Sequence, residues 1–192
     1  MSSQLILASS SPRRKELLSG LGLSYVIDVS DVDESFEPGT SPKDVVMMLA
    51  MRKATAVADK HQEGLVIGAD TIVVCDDEIL GKPLHDEDAR SMLTKLQGRQ
   101  HQVFSGVAIV NAATGESKVE ASCTEVVMRA LSDEQIHKYV QSGEPRDKAG
   151  SYAIQGLGST IVERIHGDYF TVVGLPLCLL NEMLAEFGLE VI

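Results

Sequence analysis

The run from Leu65 to Cys75 constrains the fold more than any other part of the sequence. It is rich in β-branched and aliphatic residues, a composition typical of a buried central strand. One carboxylate, Asp70, interrupts it, and Gly68 and Ala69 leave room beside that side chain. Because burying an unpaired carboxylate is costly, Asp70 needs a metal, a cation or a catalytic role. The alternative is an Asp at a strand end that caps a neighbouring loop.

Strands and helices alternate along the rest of the chain, which predicts an α/β domain with a mixed sheet. The predicted strands are 5–8, 25–28, 65–75, 79–80, 102–111, 118–129, and short segments around 159–165 and 169–173. Helices are predicted to begin near 12, to run over 41–60 and 86–96, to begin near 132, and to run over 176–187. The turn at 113–116 indicates one hairpin. With 192 residues, the chain is expected to form a single domain over 1–192.

The charge balance excludes several classes of partner. Lys and Arg number 17 against 28 Asp and Glu, for a formal net charge of −11, so nucleic acid polymers and anionic membranes would repel the chain. No apolar stretch is long enough for a bilayer. The three cysteines are far apart, and the basic residues follow the first apolar run, which is the wrong order for a signal peptide. These patterns predict a cytoplasmic protein.

Several groups that can bind an anion follow the first predicted strand. Ser9, Ser10 and Ser11 are followed by Pro12, which starts a helix with Ser11 as N-cap, and by the cluster 13–15 of two arginines and a lysine. Free backbone N–H groups, small serines and forked guanidinium groups suit a phosphate. Neither a Walker loop nor a G-x-G-x-x-G motif is present. The alternative is a capped helix start with a solvated basic turn.

Three lysines and one acidic loop are weaker candidates. Lys53 lies on the apolar face of its helix, where a snorkelling side chain is the alternative to a function. Lys82 in Gly-Lys-Pro and Lys148 in Asp-Lys-Ala-Gly are ordinary when taken alone. The loop with Asp33 and Glu34 is most often a solvated loop, although carboxylates from separate segments also hold Mg²⁺. The five histidines lack the spacing of zinc ligands.

Eight short motifs occur in a fixed order, and together they span nearly the whole chain from residue 5 to residue 176. They are 5–18 (LILASSSPRRKELL), 32–34 (VDE), 52–54 (RKA), 68–71 (GADT), 81–83 (GKP), 147–150 (DKAG), 152–156 (YAIQG) and 173–176 (VGLP). The ordered set closely resembles the signature of the Maf family of nucleoside triphosphate pyrophosphatases. Ala153 departs from the pattern, since many members have glycine there.

The resemblance implies an elongated mixed sheet in two lobes around a cleft, similar to the inosine triphosphate pyrophosphatase (Maf/Ham) fold, and commonly a homodimer. It implies hydrolysis of a nucleoside triphosphate between the α- and β-phosphates, with a divalent cation, Mg²⁺ or Mn²⁺. An association with cell division and septum formation is also attached to this family. A nucleotide-binding division regulator is therefore an alternative to an enzyme.

The resemblance also assigns roles to single residues. Asp70 is the proton acceptor, while Arg13, Thr71 and Gln155 match the positions that distinguish the dTTP/UTP branch. The branch acting on 7-methyl-GTP tends to have Gln after the Asp and Glu in place of Gln155, so cleavage of a modified nucleotide is the alternative activity. A Gln amide both donates and accepts hydrogen bonds, which suits the edge of uracil or thymine.

The residue chemistry is compatible with these roles. Ser9, Arg14, Lys53, Lys82 and Lys148, together with Arg13, are the candidate phosphate-binding residues because they supply hydroxyl and cationic donors to a polyanion. Glu34 and Asp70 are the candidate metal ligands. Sequence alone leaves open whether Asp70 acts as a base, as a metal ligand or as both.

Overall fold

A computed structural model of the protein describes residues 4–192. Part of the signal-peptide argument rests on residues 1–3, which lie outside the described residues. The strands are β1 (Leu5–Leu7), β2 (Tyr25–Ile27), β3 (Leu65–Cys75), β4 (Glu78–Leu80), β5 (Gln100–Asn111), β6 (Ser117–Met128) and β7 (Val162–His166). The α-helices are α1 (Pro12–Gly20), α2 (Pro42–Ala58), α3 (Asp86–Leu96), α4 (Asp133–Gln141), α5 (Tyr169–Val173) and α6 (Leu177–Glu186).

The strands form one mixed sheet, as the alternation of strands and helices predicts. Its order is β2-β1-β3-β5-β6-β7, with β4 beside β3. β1 is parallel to both β2 and β3, whereas β4 is antiparallel to β3 and β7 is antiparallel to β6. β3 is buried along its length except at half-buried Thr71. The expectation of a central strand at 65–75 is confirmed.

The chain divides into two compact units. The first contains the described residues up to Asp70, Ser105–Ser122 and Gly174–Ile192. Its sheet is covered on both faces, because alternate residues of each strand point to opposite sides. On one side Leu5, Leu7 and Ile67 pack with residues of α1 and α6. On the other side, alternate residues of β1, β3 and β5 pack against α2.

The second unit contains Thr71–Phe104 and Cys123–Val173. It has one apolar cluster, in which strand residues such as Val103 and Val126 pack against α3 and α4. α4 begins with the capping box that Ser132 and Gln135 predict, because each side chain bonds the backbone of the other. The buried residues of this helix are Ile136, Tyr139 and Val140.

Two sequence predictions in this unit are wrong. The predicted strand at 169–173 is the helix α5. The Asp168 carboxylate accepts hydrogen bonds from the Thr171 backbone N–H (2.6 Å) and hydroxyl (2.7 Å), a helix cap that outweighs the β-branched composition. The segment predicted as a strand around 159–165 begins instead with a 3₁₀ helix, Gly156–Thr160, and its strand β7 is shifted toward the C-terminus.

The described residues include no helix that is both long enough and apolar enough to span a bilayer.

The second unit buries a histidine, His101, in its core. The His101 side chain is within the core, with Nε2 2.6 Å from the Tyr152 hydroxyl. Its Nδ1 atom is buried without a hydrogen-bond partner among the described residues. Burial therefore disfavours the protonated ring and lowers the pKa of His101 from 6.5 to about 4.

This depressed pKa predicts a pH dependence of stability. Between pH 6.5 and about 4 the unfolded chain binds a proton at His101 that the folded chain excludes, so the free energy of unfolding decreases as the pH falls through this window. The contribution lost is about 3 kcal/mol. We expect His101→Gln to remove this part of the pH dependence in urea unfolding series, whereas His137→Gln, at an exposed position, retains it. An unchanged pH dependence in His101→Gln would contradict the burial argument.

Candidate active site

The junction between β1 and α1 holds a buried hydroxyl and an ordered arginine. The Ser9 hydroxyl accepts hydrogen bonds from the Ser11 N–H and from Arg14 Nη1, both at 3.2 Å. Arg14 Nε donates to the Gly174 carbonyl oxygen at 2.8 Å. Pro12 begins α1 as predicted, but the Ser11 hydroxyl caps no N–H group among the described residues. The predicted N-cap role of the Ser11 side chain is therefore absent from the described contacts, although the start of α1 at Pro12 is as expected.

The electrostatic surroundings of Arg14 join this junction to the carboxylates of the first unit. Burial, the largest influence, lowers the pKa of Arg14; Asp70 and Glu34 oppose this effect, and Arg13 reinforces it. Arginine nevertheless stays protonated in proteins. Arg14 is thus a fixed cation within the electrostatic reach of two acidic residues.

Lys53 links the two predicted metal ligands. Its Nζ donates to Asp70 Oδ1 at 2.6 Å and lies 2.7 Å from Glu34 Oε1. The Lys53 and Asp70 side chains are only 16% and 11% exposed, whereas that of Glu34 is 56% exposed. Lys53 therefore does not snorkel into solvent, and Asp70 does not cap a loop at a strand end. The cation that a buried carboxylate requires is supplied by α2.

A close approach of backbones brings Lys53 to Asp70. A Cβ atom at Gly68 would lie 2.3 Å from the Ala50 carbonyl oxygen and 2.8 Å from the Ala54 nitrogen, so α2 rests directly on β3. A Cβ atom at Gly106 would lie 2.3 Å from the Val46 carbonyl oxygen. Both contacts exclude any side chain larger than hydrogen, which lets α2 lie closer to the sheet than ordinary helix packing allows.

The acidic loop is tied to the same helix. Arg52 Nη1 donates to the backbone carbonyls of Asp33 (3.0 Å) and Ser35 (2.7 Å). The Ser35 N–H and hydroxyl donate to the Asp33 carboxylate, and these bonds lower the pKa of Asp33. The loop thus presents Glu34 to Lys53. Sequence reasoning missed this role of Arg52, and its position beside Lys53 in the 52–54 motif was the available signal.

The remaining predicted residues belong to the second unit. Lys148 Nζ donates to the Glu144 backbone carbonyl and to Asp147 Oδ1, both at 2.6 Å. Gln155 stands at the N-cap position of the 3₁₀ helix and is half-buried. Lys82 is exposed, and Thr71 is half-buried directly after Asp70 in β3. The phosphate-binding and specificity roles of these residues stay predictions.

Glu34 and Asp70 are the predicted ligands of a divalent cation, and this role stays a prediction. Both converge on the Lys53 ammonium, and carboxylate oxygens are ligands that Mg²⁺ and Mn²⁺ accept. Among residues 4–192, no group of three or more His, Cys, Asp or Glu side chains is arranged to hold a metal ion.

Comparison with known proteins decides the family. The sequence profile described as Maf-like protein matches residues 4–187. The chain belongs to the Maf family. The resemblance carried by the ordered motifs is thereby confirmed.

Three relatives of this Maf chain match over nearly their full length. Proteins named dTTP/UTP pyrophosphatase are 52% identical in Desulforamulus reducens, covering 98% of both chains, and 50% identical in Moorella thermoacetica, covering 98% of this chain and 97% of that one. A protein of the same name in Bacillus cereus is 48% identical over 98% of this chain and 97% of its own length.

A solved structure supports the fold of the Maf chain. The Staphylococcus aureus Ham1 protein has a TM-score of 0.55 and 16% sequence identity, covering 96% of this chain and 99% of that one. At this identity the likeness concerns the fold alone. It confirms the expected mixed-sheet fold of the Maf/Ham type.

The ion pair between Lys53 and Asp70 generates a stability prediction. Lys53→Met removes the cation that contacts the buried Asp70 carboxylate, so we expect the free energy of unfolding to fall by about 3 kcal/mol. Lys43→Met, at an exposed position of the same helix, is the matched control and should change it by less than about 0.5 kcal/mol.

A double-mutant cycle completes this test. Adding Asp70→Asn to Lys53→Met should show a coupling energy of about 1 to 2 kcal/mol in urea unfolding. Strict additivity of the two substitutions would mean that the ion pair contributes nothing.

Proposed function

We propose that this chain hydrolyses dTTP and UTP between the α- and β-phosphates, giving the nucleoside monophosphate and pyrophosphate. The observation that carries the proposal is the near full-length similarity, at 48–52% identity, to proteins named dTTP/UTP pyrophosphatase. The first unit also brings together cationic and carboxylate side chains of the kinds that this reaction needs.

Cationic donors of the first unit recognise the phosphates in this proposal. Arg14 is oriented by Ser9 and Gly174, and Arg13 precedes it in the first turn of α1. A phosphate at this turn meets the positive end of the helix dipole and forked guanidinium donors. Lys53 adds a compact charge beside Asp70. These groups stabilise the negative charge that develops on the pyrophosphate leaving group.

Asp70 is the proposed proton acceptor. Its Oδ1 atom is held by Lys53, so the carboxylate has a fixed position in β3. A water molecule hydrogen-bonded to the carboxylate can transfer a proton to it while the water oxygen attacks the α-phosphorus. Lys53 keeps Asp70 oriented and balances its charge until the substrate enters.

Glu34 and Asp70 are the residues that would hold a divalent cation. Their convergence on Lys53 means that the ammonium and a metal ion would compete for the same carboxylate oxygens. When bound, Mg²⁺ or Mn²⁺ supplies charge neutralisation at the phosphates and acidifies a coordinated water. Loop residues 33–35 are fastened by Arg52, so Glu34 reaches this position without a large ordering cost.

Gln155 is the main residue proposed for base selection. Gln155 presents an amide that both donates and accepts, and so matches a ring carbonyl beside a ring N–H in uracil and thymine. A base without this pattern leaves buried polar groups unpaired, which penalises it. Thr71 and Arg13 are the other proposed specificity residues. The expected homodimer and cytoplasmic location stay predictions.

A substrate panel tests the proposed activity. The wild-type chain is incubated with dTTP, UTP, purine nucleoside triphosphates and 7-methyl-GTP, with Mg²⁺, with Mn²⁺ or with EDTA, and the products are resolved by ion-exchange chromatography. We expect pyrophosphate and monophosphate from dTTP and UTP, and loss of turnover in EDTA. Preference for 7-methyl-GTP would contradict the base assignment, and the absence of pyrophosphate from both pyrimidines would contradict the activity.

Variants in the same assay test the role of Asp70. Removing a general base lowers turnover by about 100-fold or more, so Asp70→Asn should lose that much activity while remaining folded by circular dichroism. Asp59→Asn, at the exposed C-terminal end of α2, is the matched control and should retain wild-type turnover.

A further inference from the structure

The segment that carries Gln155 is capped by a carboxylate from another part of the second unit. Glu144 Oε2 accepts a hydrogen bond from the Leu157 N–H at 2.9 Å, and its Oε1 accepts one from the Gly158 N–H at 2.8 Å. Both N–H groups belong to the first turn of the 3₁₀ helix Gly156–Thr160, which begins directly after Gln155. Glu144 therefore fixes the chain on the C-terminal side of Gln155.

A buried tyrosine fixes the other side. The Tyr139 hydroxyl donates to Glu144 Oε1 at 2.8 Å and accepts from the Ala153 N–H at 3.1 Å. Tyr139 is 6% exposed and lies in the core of the second unit, on α4. One hydrogen-bonded pair of side chains thus holds the backbone two residues before Gln155 and two residues after it.

Two glycines show how closely the segment fits this pair. A Cβ atom at Gly156 would lie 2.5 Å from Glu144 Oε2, and Gly156 has a φ of +62°, which favours glycine. A Cβ atom at Gly158 would lie 2.7 Å from the Tyr139 hydroxyl. Because Gly156 and Gly158 have no side chains, the Glu144 carboxylate and the Tyr139 hydroxyl can contact the backbone of this segment.

The same glutamate also holds a predicted phosphate-binding residue. Its backbone carbonyl accepts a hydrogen bond from Lys148 Nζ at 2.6 Å, and the Lys148 side chain is only 13% exposed. Burial acts to raise the pKa of Glu144, but the bonds from Tyr139, Gly158 and Leu157 outweigh it and lower the pKa. The carboxylate is therefore ionised at neutral pH, with strengthened charge-assisted hydrogen bonds to the segment.

We propose that Tyr139 and Glu144 are positioning residues for base selection, which hold the Gln155 amide in the orientation that reads a pyrimidine edge. This inference rests on the proposed function. The pair acts through Gln155 and needs no contact with the substrate. Its loss leaves the first-unit residues around Asp70 in place and relaxes the discrimination between bases.

The kinetic test compares Tyr139→Phe and Glu144→Gln with the wild-type chain. Phenylalanine removes the hydroxyl, and the glutamine amide nitrogen cannot accept from a backbone N–H. We expect the ratio of kcat/KM for dTTP to kcat/KM for dGTP to fall about tenfold, mainly through a higher KM for dTTP. Tyr169→Phe and Glu134→Gln, at exposed positions of the same unit, are the matched controls and should keep the wild-type ratio.

A double variant distinguishes positioning from a general loss of stability. In a Gln155→Ala background, Tyr139→Phe should not reduce the ratio further, because its effect passes through Gln155. A further reduction in that background, or an unchanged ratio in both single variants, would overturn the proposal. An equal loss of kcat for every nucleotide would also overturn it, since that result indicates a purely structural role.

Hydrogen exchange measures the positioning without any substrate. An amide should exchange about tenfold faster when its acceptor is removed. We expect this change at Ala153 in Tyr139→Phe, and at Leu157, Gly158 or both in Glu144→Gln. Unchanged protection would overturn the proposed role of the pair. If the wild-type chain hydrolyses neither dTTP nor UTP, the proposed function fails and base selection fails with it, whereas accelerated exchange would still show that the pair orders the segment.

Discussion

The direct contact between α2 and the sheet at Gly68 is the constraint on which the candidate site depends. At Gly68 the backbone of α2 lies directly against β3, because a Cβ atom there would meet the Ala50 carbonyl oxygen and the Ala54 nitrogen. A lysine on this face of the helix therefore reaches a carboxylate of the strand, and Lys53 contacts Asp70. The helix also anchors the acidic loop through Arg52, so one packing contact positions Lys53, Asp70 and, indirectly, Glu34.

Charge is distributed in a way that suits a small polyanion. The chain has a net charge of −11, which opposes long-range attraction of nucleotides and of nucleic acid. The candidate site nevertheless contains three cationic residues: Arg13 and Arg14 in α1, and Lys53 in α2. In the proposed function, capture of a nucleotide therefore depends on short-range contacts and on the proposed metal ion. Global charge excludes an extended polyanion more strongly than it excludes a triphosphate.

Sequence reasoning predicted the fold, and it named most of the first-unit residues that the structure brings into contact, because the signals there are local. Asp70 is out of place in an apolar strand, and the serines and arginines at 9–14 lie next to one another in the chain. It predicted a strand at α5 because the segment is rich in β-branched residues. The Asp168 carboxylate instead caps a helix there, and the hydrophobic pattern of the sequence does not reveal such a cap. It missed Tyr139 and Glu144 because their partners at 153–158 are distant in sequence. Gly156 and Gly158 were the sequence signal of that contact near Gln155.

The most direct measurement is pyrophosphate release from dTTP by Gly68→Ala, compared with Gly20→Ala. A Cβ atom at Gly68 would clash with the backbone of α2, whereas one at Gly20 meets nothing within 4 Å. With folding of both variants verified by circular dichroism, Gly68→Ala should lose at least about tenfold in kcat/KM, since misplacing catalytic groups by a fraction of an ångström is costly. Gly20→Ala should match the wild type. Wild-type turnover in a folded Gly68→Ala would contradict the claim that the close approach of α2 assembles the site.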